Sequence, residues 1–377
     1  MPDRKIHIIS FDIPDPPNYG GVIDVYYKIV HLHRKGIGVI LHCFEYGRPH
    51  SDYLETVCDK VYYYPRRTGV KSQFSITPYI VKSRHSPVLS DRLQQDNYPV
   101  LFEGLHTCYL IDHPALRQRL KIYRESNIEH HYYYHLFKAE KNPVKKLFFL
   151  LESLRLKHFE KILTHADLML AVSEKDHEYL AGRFPGKNVK YLPSFHQNHE
   201  MSVKPGKGNY VLYHGNLEVA ENIQAATWLI QQVFSKTRHK VIIAGKNPDQ
   251  KLKKLVSRYP NIGLNANPGQ ASMDTLVRNA HIHVLITFQA TGLKLKLLNT
   301  LYQGRFCIVN TEMLAGTGLD DLCHIADDAE KLILIIDRLM NREFGTEEIE
   351  KRQAILYARY SNDSNIKEAV LSFFGKD

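Results

Sequence analysis

The sequence predicts an α/β protein built from two Rossmann-like domains facing a central cleft. Three observations predict it. A chain of 377 residues with 44% apolar side chains is long enough for about two or three domains with real cores. Short apolar runs alternate with amphipathic helical patterns in two separate series, the signature of parallel sheets with crossover helices. Between the series, residues 187–205 turn polar and rich in Pro, Gly, Asn and His, as a linker does. The expected domains are therefore 1–200 and 201–377, with the terminal helix packing back on the first domain.

In the first series, residues 6–11 read as a strand, and Pro14, Pro16, Pro17, Asn18 and Gly20-Gly21 read as a loop. A helix with Val25, Ile29, Val30 and Leu32 on one face then runs to Gly36. Residues 39–44 and 61–64 supply two more strands, so the opening is a parallel βαβ unit. The pattern weakens over 66–97. Residues 99–103 and 168–173 read as buried strands, with a helical segment at 143–165 between them, and 189–192 gives a last short strand. The second series has strands at 210–214, 240–244, 261–264, 282–286 and 306–310. They alternate with helices near 222–234, 250–258, 272–279 and 293–303, and a helical tail covers 347–374.

Composition narrows the function. No apolar run approaches the roughly 18 residues of a membrane-spanning helix, and MPDRKIHIIS lacks the features of a secretion signal. Five scattered cysteines without a C-x-x-C pair suit a reducing cytosol and no structural metal. The net charge of +10 favours phosphorylated ligands, polyanions or an anionic membrane surface. No nucleic-acid module is recognisable, so nucleic acid is not an expected partner.

The segment 289–304 is the most informative. At about 100° per residue, Gly292, Lys296, Asn299 and Gln303 share a narrow arc of a helix whose other faces are leucine-rich. A glycine and a lysine at a helix start suit a diphosphate, because the first backbone N–H groups lack partners there. An ordinary strand-to-helix turn with solvated lysines has the same pattern.

Several segments together resemble the glycogen-synthase-like family 4 glycosyltransferases of the two-domain GT-B type, over nearly the whole chain. Gly20-Gly21 resembles the family's acceptor-side glycine loop, and His106 in Phe102-Glu-Gly-Leu-His106 its strand-end histidine. Arg124, Asn127, Glu129 and His130 match a segment of one bacterial branch, and Ser173 with Asp176 matches the end of the N-terminal domain. In the second half, Gly215, Asn216 and Asn222, and then Thr291, Gly292, Leu293, Lys294 and Lys296, match two further motifs. The resemblance implies a retaining, metal-independent transferase without a cofactor. A nucleoside-diphosphate sugar is its donor and a glycan or lipid-linked molecule its acceptor, in polysaccharide or glycolipid synthesis. By the same resemblance, His106 positions the donor sugar, Gly215, Asn216, Thr291, Gly292, Leu293, Lys294 and Lys296 bind the donor, and Asn127, Glu129 and His130 join Gly20 and Gly21 on the acceptor side.

Departures leave alternatives open. The family's two glutamates fall on Thr291 and Asn299, and its Arg and Lys on Asn216 and Glu221. Lys296, with Lys294 or Lys246, is then left to supply the cationic role, and Asn299 to bind a ribose hydroxyl through its amide. A catalytically inactive scaffold or regulatory subunit fits the same losses, and a nucleotide-sugar epimerase is a third reading. Individually, His106 also reads as a strand cap, Asn127 and Glu129 as helix caps, and His130 as a solvated residue. The basic and leucine-rich stretch 138–161 fits either a helix touching an anionic leaflet at the inner face of the cell membrane or a core-covering helix with a basic outer face.

Overall fold

The computed structural model describes residues 4–69, 75–288 and 294–375. They form two compact units, one of Met1–Gln197 with Tyr360–Asp377, the other of Asn198–Ala290 and Lys294–Arg359. In the first unit, β1 (Lys5–Ser10), β2 (Gly38–Glu45), β3 (Lys60–Pro65), β4 (Val100–Glu103), β5 (Lys121–Arg124), β6 (Leu168–Ala171) and β7 (Asn188–Tyr191) make one parallel sheet, ordered β3-β2-β1-β4-β5-β6-β7. In the second, β8 (Val211–Asn216), β9 (Val241–Lys246), β10 (Ile262–Ala266), β11 (Ile282–Leu285), β12 (Phe306–Val309) and β13 (His324–Ile325) are likewise parallel, ordered β10-β9-β8-β11-β12-β13. Strand order reverses between β1 and β4 and between β8 and β11. Such reversals open a crevice beyond the strand C-termini, where ligands bind in doubly wound sheets.

Local chemistry sets the helix ends. The helix Gly20–Arg34 buries Val22, Val25, Ile29 and Leu32, spaced for one face, and stops where Gly36 adopts φ +70. Asn142 caps the helix Pro143–Phe159 through Val144 N and Lys145 N, and Ser173 caps Glu174–Arg183 through Asp176 N. The tail expected as one helical stretch is two helices, Thr346–Tyr360 and Asn362–Phe374. Extended backbone at Ser361, whose side chain caps Ser364 N, separates them. The second helix buries Ile366, Ala369 and Phe373 in the core that holds Ile8 and Val25, and each large apolar side chain so buried contributes about 1.5–3 kcal/mol.

Strands β5 and β13 and the helix Ala329–Met340 go beyond the sequence expectation. Lys121 and Arg124 at the ends of β5 disguise a fully buried strand, and both are buried because they have internal partners. Lys121 Nζ lies 2.9 Å from Asp167, and Arg124 lies 3.0 Å from Asp24. Among the described residues, no helix is long and apolar enough to cross a membrane.

Candidate active site

Each unit gathers polar groups at its own strand reversal. In the second unit, β8 ends in Gly215-Asn216 and leads into the helix Ala220–Gln232, while the helix Leu295–Gln303 starts beyond β11. No side chain caps either helix start. The chains pack closely here: a Cβ on Gly245 would lie 2.0 Å from the Gly215 carbonyl oxygen, so the ends of β8 and β9 tolerate no side chain at that position. Asn222 Nδ2 donates to Asn216 O at 3.0 Å, and Lys296 Nζ donates to Asn222 Oδ1 at 3.2 Å. The ammonium also lies 5.9 Å from the centre of the Tyr213 ring.

Burial pulls Lys296 down to about 8, with Glu221 opposing and Lys294 reinforcing the shift. Glu221 accepts from Thr287 Oγ1. Thr287 is in turn fixed by Asn310, whose Oδ1 accepts from Thr287 N at 3.1 Å and whose Nδ2 donates to Thr287 O at 2.7 Å. His214 lies under this cluster with Nε2 3.1 Å from Thr300 Oγ1. Burial and the charge of Lys296 hold His214 down at about 4, so it is a neutral imidazole at neutral pH. The result is a half-buried cation tied to the Asn222 amide, with the Tyr213 ring and the Glu221 carboxylate nearby, at a helix start whose first N–H groups add to its positive field.

In the first unit, β1 runs into Phe11 and Asp12, and β4 into Gly104 (φ +73) and the 3₁₀ turn Leu105–Leu110. A Cβ on Gly21 would lie 2.6 Å from the Phe11 ring, and that ring lies 5.3 Å from His106. The helix-start glycine thus brings the chain against Phe11, and Phe11 against His106. Nδ1 of His106 is 3.7 Å from Glu129 Oε1 and has no hydrogen-bond partner. Burial drives the His106 pKa well below its ordinary value, with Arg84 and Arg66 adding to the effect. Burial likewise pushes Glu129 up to about 8, with Arg84 opposing. At neutral pH the pair is mostly uncharged, a carboxylic acid beside a neutral imidazole. Arg84, itself pulled down to about 9 by burial, donates from Nε to Phe11 O at 2.8 Å.

A buried ionic network supports this edge. Lys28 Nζ donates to Asp24 at 3.0 Å and to Glu103 at 2.6 Å. Arg124 donates to Asp24 through Nε at 3.0 Å and Nη2 at 3.1 Å, and Phe195 N donates to Asp24 at 2.8 Å. Burial opposes the charge on Asp24, yet Arg124 and Lys28 hold its carboxyl below the usual range.

The expected residues thus fall into groups. Gly215, Asn216 and Lys296 stand at the second unit's strand reversal, and Gly20, Gly21, His106 and Glu129 at the first unit's. Asn299 lies one turn beyond Lys296 and accepts from Gln303 Nε2 at 2.8 Å, so the polar stripe exists. Lys246 is exposed, 3.8 Å from Glu218, while Lys294 occupies the N-cap of its helix. Thr291, Gly292 and Leu293 lie outside the described residues. Asn127 donates its backbone N–H to Glu125 at 2.8 Å, and neither it nor Glu129 caps the helix Glu129–Ala139, whose N-cap is Ile128. His130 is buried rather than solvated. Its Nδ1 lies 3.3 Å from Glu160 Oε1, and its ring packs 5.9 Å from Tyr179.

Sequence reasoning had Asn222 in a motif without giving it a role, and it missed Thr287, Asn310 and His214. Among the described residues, no group of three or more His, Cys, Asp or Glu is placed to hold a metal ion.

No family model matches the chain. An uncharacterized 44.6 kDa protein in the cps region of Klebsiella pneumoniae is 26% identical over 362 residues, covering 89% of this chain and 88% of that one. Among solved structures, Anabaena HepE in complex with UDP and glucose matches with a TM-score of 0.65 at 11% identity, covering 98% of this chain and 99% of that one. A glycosyltransferase from Rickettsia africae matches at 0.64 and 11% identity, over 99% and 98%. The UDP-forming trehalose-phosphate synthase of Burkholderia xenovorans, in complex with glucose-6-phosphate, matches at 0.62 and 10% identity, over 98% and 99%. The chain has the GT-B fold. Near-complete coverage on both sides means that both parallel sheets take part in the GT-B match, as the two-series reading of the sequence expected.

Proposed function

We propose that the protein is a glycosyltransferase that moves a hexosyl group from a nucleoside-diphosphate sugar, a uridine diphosphate sugar first among them, to a glycan or lipid-linked acceptor in polysaccharide or glycolipid synthesis. The observation that carries this reading is Lys296, an ammonium pulled down to about 8 at a helix start beside Asn222. A departing diphosphate needs a fixed positive field more than it needs a covalent nucleophile, and a half-buried lysine at a helix N-terminus supplies one. The UDP complex of HepE and the cps-region setting of the Klebsiella relative support the donor class and the polysaccharide context.

In the retaining, metal-independent scheme that the resemblance implies, the bond from the anomeric carbon to the diphosphate breaks as the bond to the acceptor oxygen forms. The acceptor proton passes to a diphosphate oxygen, and neutral His106 hydrogen-bonds a sugar hydroxyl. Glu129, mostly a neutral acid, presents both a donor and an acceptor to hydroxyl groups.

The helix Pro143–Phe159 supports a lipid-linked acceptor. Val144, Leu147, Leu151 and Leu154 form an exposed apolar stripe, flanked by Lys141, Lys145 and Lys157, which suits an anionic membrane surface.

The test is thermal unfolding with UDP-, GDP-, ADP- and TDP-glucose. One nucleotide at about 100 times its Kd stabilises by about 2.7 kcal/mol. Lys296→Ala is expected to weaken that nucleotide's affinity about 10- to 100-fold, the worth of a charged hydrogen bond. Stabilisation by none of the four sinks the proposal. The scaffold reading is favoured by one observation, the carboxylate of Glu221 where the family has a cation, and nucleotide binding without transfer to any acceptor would select it.

A further inference from the structure

A cavity of about 370 Å³ opens at the N-terminal ends of β1–β3, where Lys5 and Lys60 begin their strands. The strand C-termini, with the polar groups described above, lie at the other edge of the same sheet. Arg92 and Asp96, both lining the cavity, are the two ends of one buried hydrogen-bonded chain. Arg92 Nη1 donates to Tyr64 Oη at 3.1 Å, and Tyr64 Oη is 2.8 Å from His42 Nδ1. His42 Nε2 is 2.8 Å from His7 Nδ1, and His7 Nε2 is 2.9 Å from Asp96 Oδ1.

The chain has a single polarity. Tyr64 is pushed up to about 12 by burial and keeps its proton, which it donates to His42 Nδ1. Burial lowers both imidazole pKa values, so each histidine is neutral and carries its proton on Nε2, pointing toward Asp96. The guanidinium is also fixed 3.8 Å over the Tyr62 ring. Arg92 is therefore held from two sides, by the Tyr64 hydroxyl and the Tyr62 ring.

The acids of the cavity are already paired. Asp59 lies 2.8 Å from Lys5, and Asp96 accepts from His7 and from Arg119 at 3.0 Å. Among the described residues, neither Arg92 nor Lys60 has an acidic partner. The surplus charge at the cavity is positive, and the planar guanidinium keeps N–H groups that Tyr64 does not use. Tyr98 adds a ring to the wall, 6.3 Å from His7.

We propose that this cavity is a second ligand site, which binds a saccharide bearing a carboxylate or phosphate: Arg92 and Lys60 take the anion, and Tyr98 and Asp96 take the sugar ring and its hydroxyls. The volume lies at the lower end of ligand pockets, enough for a single sugar unit. The site's use as an anchor for an acidic glycan rests on the transferase reading, whereas the binding itself does not.

Binding to the full chain without donor is measured by calorimetry and ligand-observed NMR, with glucuronate, glucose 6-phosphate, glucose and inorganic phosphate as probes. Glucuronate or glucose 6-phosphate is expected to bind more tightly than glucose or phosphate, and which of the two binds separates a glycan uronate from a free sugar phosphate as the source. Arg92→Gln is expected to weaken it about 10- to 100-fold and Lys60→Gln about 2- to 5-fold. Lys60 is exposed, so its variant stays informative if Arg92→Gln fails to fold. Lys296→Ala is expected to leave this binding unchanged while losing nucleotide, which keeps failure here distinct from failure of the transferase reading. The proposal is overturned if no anionic sugar binds, if glucose or phosphate alone binds equally well, or if Lys60→Gln and Arg92→Gln both leave affinity intact.

Discussion

At the strand reversal of the first sheet a buried carboxyl, Glu129, faces the His106 imidazole, whereas at that of the second a half-buried ammonium, Lys296, is tied to the Asn222 amide. Burial acts on both, and it brings an acid and a base to the same value, about 8, from opposite sides. The first edge becomes neutral and hydroxyl-like, while the second keeps a positive charge that is close to titrating. The same fold element thus presents a largely uncharged edge in one unit and a cationic one in the other. The cost of desolvation decides which, depending on the residue type supplied.

The sharpest way to break this contrast is to remove the network that underlies the first edge. Asp24→Ala leaves Lys28 and Arg124 buried without their shared carboxylate, and losses of that kind cost about 3–5 kcal/mol. The single tryptophan, Trp228, packs on the core of the second unit and so reports that unit alone. In urea, far-UV circular dichroism is expected to show an early transition in Asp24→Ala while Trp228 fluorescence keeps its midpoint. If both signals move together, the two cores are not energetically separate.

A smaller effect distinguishes the two titrations by sign. Glu129 binds its proton more tightly folded than unfolded, so its contribution is fully present below its ordinary 4.5 and is lost as pH rises through about 8. Lys296 binds its proton less tightly folded, so its contribution grows as pH rises from about 8 toward 10.5. Glu129→Gln is expected to flatten the fall in the first unit's urea midpoint between pH 5 and 8.5, and to leave the Trp228 transition untouched at every pH. An unchanged slope would mean that Glu129 is ionised in the folded protein.

The two halves were legible to different degrees. Alternation of apolar runs and amphipathic helices revealed both sheets, because parallel strands buried on both faces cannot be written in polar residues. Strand β5 escaped because Lys121 and Arg124 have partners 46 and 100 residues away, which no local pattern records. The Lys296–Asn299–Gln303 stripe was readable because a helix brings neighbours three and four apart onto one face. Thr287, Asn310 and Asn222 join that cluster only through strand register and loop placement. The titrating pair in the first unit was half visible: His106 and Glu129 were each singled out, but nothing in the spacing of 23 residues says that they meet or that burial neutralises both.

The smallest effect on stability tests a difference on the outer surface. Exposed large apolar side chains in the second unit, such as Leu334 and Tyr357, lie on separate helices, whereas Val144, Leu147, Leu151 and Leu154 of the first unit recur along one helix beside lysines. Leu147→Ser with Leu151→Ser removes the middle of that stripe, and exposed substitutions of this kind change unfolding free energy by about 0.5 kcal/mol or less. The same pair is expected to abolish co-sedimentation with phosphatidylglycerol vesicles at low salt, while Tyr357→Ser leaves it intact. Wild-type protein that stays in the supernatant would assign the stripe to something other than a lipid surface, because apolar insertion and lysine attraction both act on that helix and on no comparable one described in the second unit.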